Sequence, residues 1–170
     1  MPLTIAEVNA LSPDDFVDRF GDVAEHSPWV AASAADGRPY ADREMMVAAF
    51  GLAVDKASNA ERLALIRAHP DLAGRAARAG TMAADSQKEQ AGAGLSALSD
   101  DEWIRFHDLN DRYRTRFGFP FVLAVKGATR DDVLAAFEAR LANDPVTERA
   151  EAIAQIRRIF RFRIEDRVTP

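Results

Sequence analysis

Apolar residues recur at spacings of three and four along almost the whole chain, and polar helix-opening signals interrupt them at short intervals. Thr4 with Glu7 makes a capping-box pattern that opens a short helix through Val8. Ser12-Pro13-Asp14-Asp15 supplies a cap, a proline for the first helical position and acids for the first turn. Leu11 and Phe16 are placed for a hydrophobic staple there, and Gly21 can close that helix. Ser27-Pro28 repeats the start signal, and Gly37-Arg38-Pro39 reads as a loop. A longer helix is predicted over 42–57, with Met46, Phe50 and Val54 on one face. Ser58-Asn59 opens the next, with Leu63, Leu65 and Ile66 apolar. It should end at His69, because Pro70 disfavours the α conformation in the residue before it.

The second half reads the same way. A short helix is expected over 71–79, closed by Gly80. Ser86-Gln87-Lys88-Glu89 is a capping-box pattern for a helix through Leu95. Ser99 with Glu102 starts a helix whose wide apolar face is Trp103, Phe106, Leu109, Tyr113 and Phe117, ended by Gly118. Thr129-Arg130-Asp131-Asp132 caps another, with Val133, Phe137 and Leu141 spaced by four. Asp144-Pro145 starts the last and longest helix, whose face is Ala150, Ile153, Ile156, Phe160 and then Arg163 or Ile164. The one β-like run, Phe119-Pro120-Phe121-Val122-Leu123-Ala124-Val125, has no partner strand and is read as a buried extended or short helical segment. The fold class that follows is all-α: a single-domain bundle of about eight helices over residues 1–170.

Composition narrows the function. A formal net charge of −5 argues against nucleic acid, although the last helix carries Arg157, Arg158, Arg161, Arg163 and Arg167. The absence of cysteine excludes disulfides, thiolate metal sites and a cysteine nucleophile. The N-terminus lacks the basic and apolar regions of a signal peptide, and no apolar run approaches a membrane span, so a cytoplasmic protein is expected.

Of three histidines, His26 precedes a helix start and reads as an exposed loop residue, and His107 as a core or boundary residue. Only His69 has a rigid, sequence-forced setting, where it either caps a helix or serves as an acid–base group titrating near neutrality. No His-Glu-x-x-His pattern suggests zinc. Glu89 is either the capping-box partner of Ser86 or a catalytic carboxylate. Ala91-Gly92-Ala93-Gly94 allows close approach of a ligand or tight helix packing. Arg163 falls on the apolar face of its helix and needs an anionic partner, either a substrate carboxylate or an internal Asp or Glu.

Four motifs in order resemble the OHCU decarboxylase family, the 2-oxo-4-hydroxy-4-carboxy-5-ureidoimidazoline decarboxylases of urate degradation. They are His69-Pro70-Asp71-Leu72-Ala73-Gly74, residues 85–95, Leu109-Asn110-Asp111-x-Tyr113, and Phe117-Gly118-Phe119-Pro120-Phe121-Val122. The resemblance covers nearly the whole chain and implies an all-helical, cofactor-free homodimer that converts a small-molecule substrate to S-allantoin and carbon dioxide. It makes His69 the catalytic histidine and Glu89 its carboxylate partner. The ligand-binding walls become Pro70, the turn Ser86, Gln87, Lys88, Glu89 and Gln90, and the segment Phe121, Val122, Leu123, Ala124 and Val125. Arg163, in Phe162-Arg163-Ile164, resembles the family's C-terminal substrate arginine. Lys126 departs from the arginine expected in many relatives. Some relatives are fused to a hydroxyisourate hydrolase domain that makes the substrate, and this chain is too short to hold it, so that enzyme is expected as a pathway neighbour. The alternative class is a non-catalytic helical ligand-binding or dimerisation module.

Overall fold

Side-chain caps set most helix starts, as the spacing of polar residues implies. The structure, a computed structural model, describes residues 1–74 and 82–170. α1 (Ile5–Ala10) opens at the Thr4–Glu7 capping box and α2 (Pro13–Phe20) at Ser12. α3 (Trp29–Ala35) has no side-chain cap: the Ser27 hydroxyl donates instead to the Glu25 carbonyl, 3.0 Å away. α4 (Arg43–Lys56) opens at Asp42, and α5 (Asn59–Arg67) at the Ser58–Glu61 box. α6 (Ala84–Gly92) begins without a cap. α7 (Asp100–Phe117) opens at the Ser99–Glu102 box and α8 (Arg130–Leu141) at the Thr129–Asp132 box. α9 (Pro145–Arg167) starts where Asp144 Oδ1 accepts the N–H groups of Val146 and Thr147, each at 3.0 Å. Each such cap satisfies an otherwise orphaned donor and is worth about 1 kcal/mol. The cap backbone N–H groups hold the box carboxylates of Glu7, Glu61, Glu102 and Asp132 below their ordinary pKa range.

The described residues are all-α: helices, turns and one isolated parallel bridge between Leu3 and Val168. They divide into two compact units, residues 1–68 with 156–170, and residues 69–155. α9 contributes its first half to the second unit and its second half to the first.

The first unit buries one aromatic cluster. Phe16 lies 5.0 Å from Phe20 and 6.3 Å from Phe50, and Phe50 meets Phe160 edge-on at 6.0 Å, measured between ring centroids. Met46, Phe50 and Val54 are fully buried, so the predicted face of α4 is the face that packs. Gly51, next to Phe50, lies under the Arg157 side chain. A Cβ there would stand 2.7 Å from Arg157 Nη2, and that guanidinium crosses the helix to form a double hydrogen bond with Asp55 at 3.0 and 2.9 Å.

In the second unit Phe121 stacks on Phe137 at 3.8 Å and meets Tyr113 edge-on at 5.2 Å. Gly118 ends α7 in the left-handed conformation, φ 77°, as a closing glycine should. Three expectations are corrected here. The inward residue of the last turn of α8 is Arg140, while Leu141 is only half-buried. The first half of α9 buries Glu148, Ala152 and Gln155; Ala150 is exposed and Ile153 half-buried. Residues 71–74 form a turn with Ala73 at φ 51°, and the remainder of the helix expected over 71–79, with Gly80, lies outside the described residues. In each case a polar group or a loop takes a place that apolar periodicity assigned otherwise.

Candidate active site

Pro70 ends α5 early: the helix stops at Arg67, Ala68 caps it, and His69 follows outside it. His69 is 5% exposed. The turn after it is held by polar side chains from two helices of the second unit. Gln90 on α6 accepts the Ala73 N–H at 2.9 Å and donates to the Asp71 carbonyl at 3.3 Å. Asn110 on α7 donates to the Leu72 carbonyl at 2.8 Å. Arg114, one turn further, pairs with the Asp71 carboxylate at 3.0 Å. Two successive peptide units after His69-Pro70, 71–72 and 72–73, and the Asp71 side chain are therefore tethered, and a tethered loop costs little to hold in one geometry at the moment of reaction.

The turn singled out as Ser86-Gln87-Lys88-Glu89-Gln90 lies within α6, not at its start. Its N-cap is Ala83, with no side-chain cap bond, so the Ser86–Glu89 capping box is absent and the helix ends at Gly92 rather than Leu95. The opening N–H groups are those of residues 84–86. Ser86 and Gln90, four apart, are buried; Glu89 is half-buried; Gln87 and Lys88 are exposed. Capping therefore does not account for Glu89. Among the described residues a Cβ on Gly92 would meet nothing within 4 Å, and Gly94 serves the turn after the helix with φ 78°.

Residues 121–125 contain no helix or strand, and Phe121, Val122, Ala124 and Val125 are buried. The backbone of a buried irregular segment must find partners elsewhere. Arg140 Nη1 donates to the Val122 carbonyl at 2.5 Å, the Ala124 N–H donates to Gln155 Oε1 at 3.1 Å, and the Ala128 N–H donates to the Val125 carbonyl at 2.9 Å. Among the described residues, the N–H and C=O of half-buried Leu123 have no hydrogen-bond partner. A donor and an acceptor on one residue, flanked by apolar walls, suit the adjacent N–H and C=O of a cyclic amide or urea.

Arg163 belongs to the first unit. It is 2% exposed, and its Nη1 donates to Glu25 Oε2 at 3.1 Å and to the Val23 carbonyl at 3.2 Å. Its structural partner is thus an internal carboxylate, the second of the two possibilities the sequence left open. The other histidines lie as expected: His26 is exposed, and His107 is a boundary residue stacked on Trp103 at 5.1 Å. Among the described residues there is no group of three or more His, Cys, Asp or Glu arranged to hold a metal ion, and no helix long and apolar enough to cross a membrane. Periodicity did not mark Asn110, Arg140 or Gln155 as structural parts of this region. Asn110 lay inside a quoted motif, and that was the one signal available for it.

The family model described as OHCU decarboxylase matches residues 9–165. The chain is 42% identical over 165 residues to the 2-oxo-4-hydroxy-4-carboxy-5-ureidoimidazoline decarboxylase of Haloferax volcanii, covering 97% of this chain and 96% of that one. Among solved structures it resembles that of an (S)-allantoin synthase, with TM-score 0.79 and 29% identity, over 98% of this chain and 54% of the other. It shares its fold with an OHCU decarboxylase crystallised in the presence of (S)-allantoin, with TM-score 0.70 and 20% identity, over 88% of this chain and 96% of the other.

Proposed function

The chain belongs to the OHCU decarboxylase family, and on that premise we propose that it converts 2-oxo-4-hydroxy-4-carboxy-5-ureidoimidazoline to S-allantoin and carbon dioxide without a cofactor. The observation that carries this reading is the likeness over nearly the full length of the chain, with His69 in its tethered turn at the family's first motif.

The chemistry asks for few groups. The bond to the carboxylate breaks and carbon dioxide leaves; its electron pair enters the ring, whose C=N nitrogen takes up one proton, and an enol-like system results. The ring hydroxyl then gives up its proton to become a carbonyl, and a neighbouring ring carbon gains one proton on a single face. His69 is the group proposed to relay that proton, because an imidazole both takes and gives near neutral pH. Glu89 is proposed to orient it and favour its charged form. The Leu123 peptide groups suit the amide-like ring edge, with Pro70, Ser86, Gln87, Lys88, Gln90, Phe121, Val122, Ala124 and Val125 completing the proposed walls. The buried apolar part of that lining, Phe121, Val122, Ala124 and Val125, favours a carboxylate that is about to become neutral gas. The role proposed for Arg163, a clamp on the substrate carboxylate, rests on the family motif; its bond to Glu25 is the one it would have to share or exchange. A homodimer, a cytoplasmic location and a hydroxyisourate hydrolase as supplier belong to the same proposal.

The test generates substrate in situ from urate and follows circular dichroism for enantiomeric allantoin. The wild-type chain accelerates formation of the S form. His69→Asn folds but loses about 10²–10⁴-fold in stereoselective turnover, the usual weight of a positioned acid–base group. Full activity in that variant removes His69 from the mechanism, and binding of allantoin without turnover by the wild type favours a non-catalytic module.

A further inference from the structure

The cluster behind residues 121–125 is more elaborate than packing requires. Arg140 is 7% exposed and Glu148 is fully buried. Arg140 Nε donates to Glu148 Oε1 at 2.6 Å, and the Tyr113 hydroxyl donates to the same oxygen. The Asn143 side chain donates to Glu148 Oε2 at 3.0 Å. The guanidinium lies over the Phe121 ring at 4.3 Å while its Nη1 reaches the Val122 carbonyl. Gln155, held by its amide to Glu151 at 2.7 Å, accepts from Ala124 on the other side of Leu123.

We propose that Arg140 and Gln155 are positioning residues that clamp the two peptide groups flanking Leu123, and so aim its open N–H and C=O at the substrate ring. This rests on the decarboxylase reading. The Arg140–Glu148 pair is oriented toward one task. A guanidinium is a rigid planar fork, and here one edge is fixed by the carboxylate while another arm holds the carbonyl of the binding wall. A lysine keeps the charge opposite Glu148 but has no second arm to hold Val122. Gln155 supplies the matching acceptor, so the peptide groups on both sides of Leu123 are fixed by side chains and not by a neighbouring strand. Neither residue needs to touch substrate for its loss to be felt in binding.

The experiment uses the full chain, with substrate produced from urate and (S)-allantoin as the binding probe. In Arg140→Lys and in Gln155→Leu, KM and the Kd for (S)-allantoin rise about tenfold, one hydrogen bond's worth of alignment, and kcat moves less. The double variant is little worse than Arg140→Lys alone, because both clamps act on one stretch. Gln155→Glu, which keeps the acceptor oxygen for Ala124, restores most of the affinity. A fall in Tm with unchanged KM and Kd in both single variants overturns the proposal and leaves the decarboxylase reading standing, since turnover persists. A wild-type chain that neither binds (S)-allantoin nor turns over substrate overturns both.

Discussion

The two units solve the same problem of stability with different materials. The first is built of short capped helices around aromatic rings, and its buried Arg163–Glu25 pair also bonds the Val23 carbonyl. The second spends its buried polar side chains on irregular backbone. Gln90, Asn110, Arg140 and Gln155 each bond a peptide group in one of two loops. Helices satisfy their own backbone, and loops do not. A fold that needs two loops held still therefore has to place polar side chains on the inward faces of its helices. The loops so held are the ones that carry His69 and the proposed binding wall.

Three further measurements bear on that contrast. The largest effect belongs to the first unit: Phe50→Ala empties a fully buried site next to Phe16 and Phe160 and costs about 3–5 kcal/mol in thermal or denaturant unfolding. Turnover per folded molecule stays unchanged well below the Tm of that variant, and a large loss there would erase the distinction between the units. Next comes alkaline pH, which compares the two tyrosines of the chain, one buried in each unit. Burial pushes Tyr40 up from 10.0 to about 12. A raised folded-state value stabilises the fold below pH 10, and that contribution is lost as pH climbs from 10 toward about 12. Tyr113 is raised as well, first by burial and then by its bond to Glu148. Phenolate absorbance should therefore show the Tyr40 step first, and Tyr40→Phe should delete it; if Tyr113 ionises first, the Glu148 cluster is weaker than its geometry implies. The smallest effect on stability is expected from Asn110→Ala, at about 1–3 kcal/mol for the lost partner of the Leu72 carbonyl. Its turnover should fall out of proportion to that, because the His69 turn is released, and an activity loss no greater than the stability loss explains would count against the tether.

The sequence was most informative where local chemistry decides structure. Thr4, Ser12, Asp42, Ser58, Ser99 and Thr129 cap the helices their spacing predicts, and Gly118 ends α7. Ser86 carries the same pattern and fails, because α6 starts three residues earlier than that pattern places it and turns Ser86 inward. Leu141 was expected to face the core and Arg140 does so, since apolar spacing cannot see a carboxylate arriving from α9. His69 was legible because Pro70 acts on its own neighbour. The tethers around it were not, because a buried amide is recognised only through a partner distant in sequence: Asn110 and Leu72 are separated by 38 positions.

The bridge between Leu3 and Val168 also governs how the chain can be handled. The Leu3 N–H reaches the Arg167 carbonyl and the Thr169 N–H reaches the Leu3 carbonyl, both at 2.8 Å. Fraying at either end therefore unpins the other. A substitution by proline at Leu3 or Thr169 would remove one of the two donors and so loosen both segments at once.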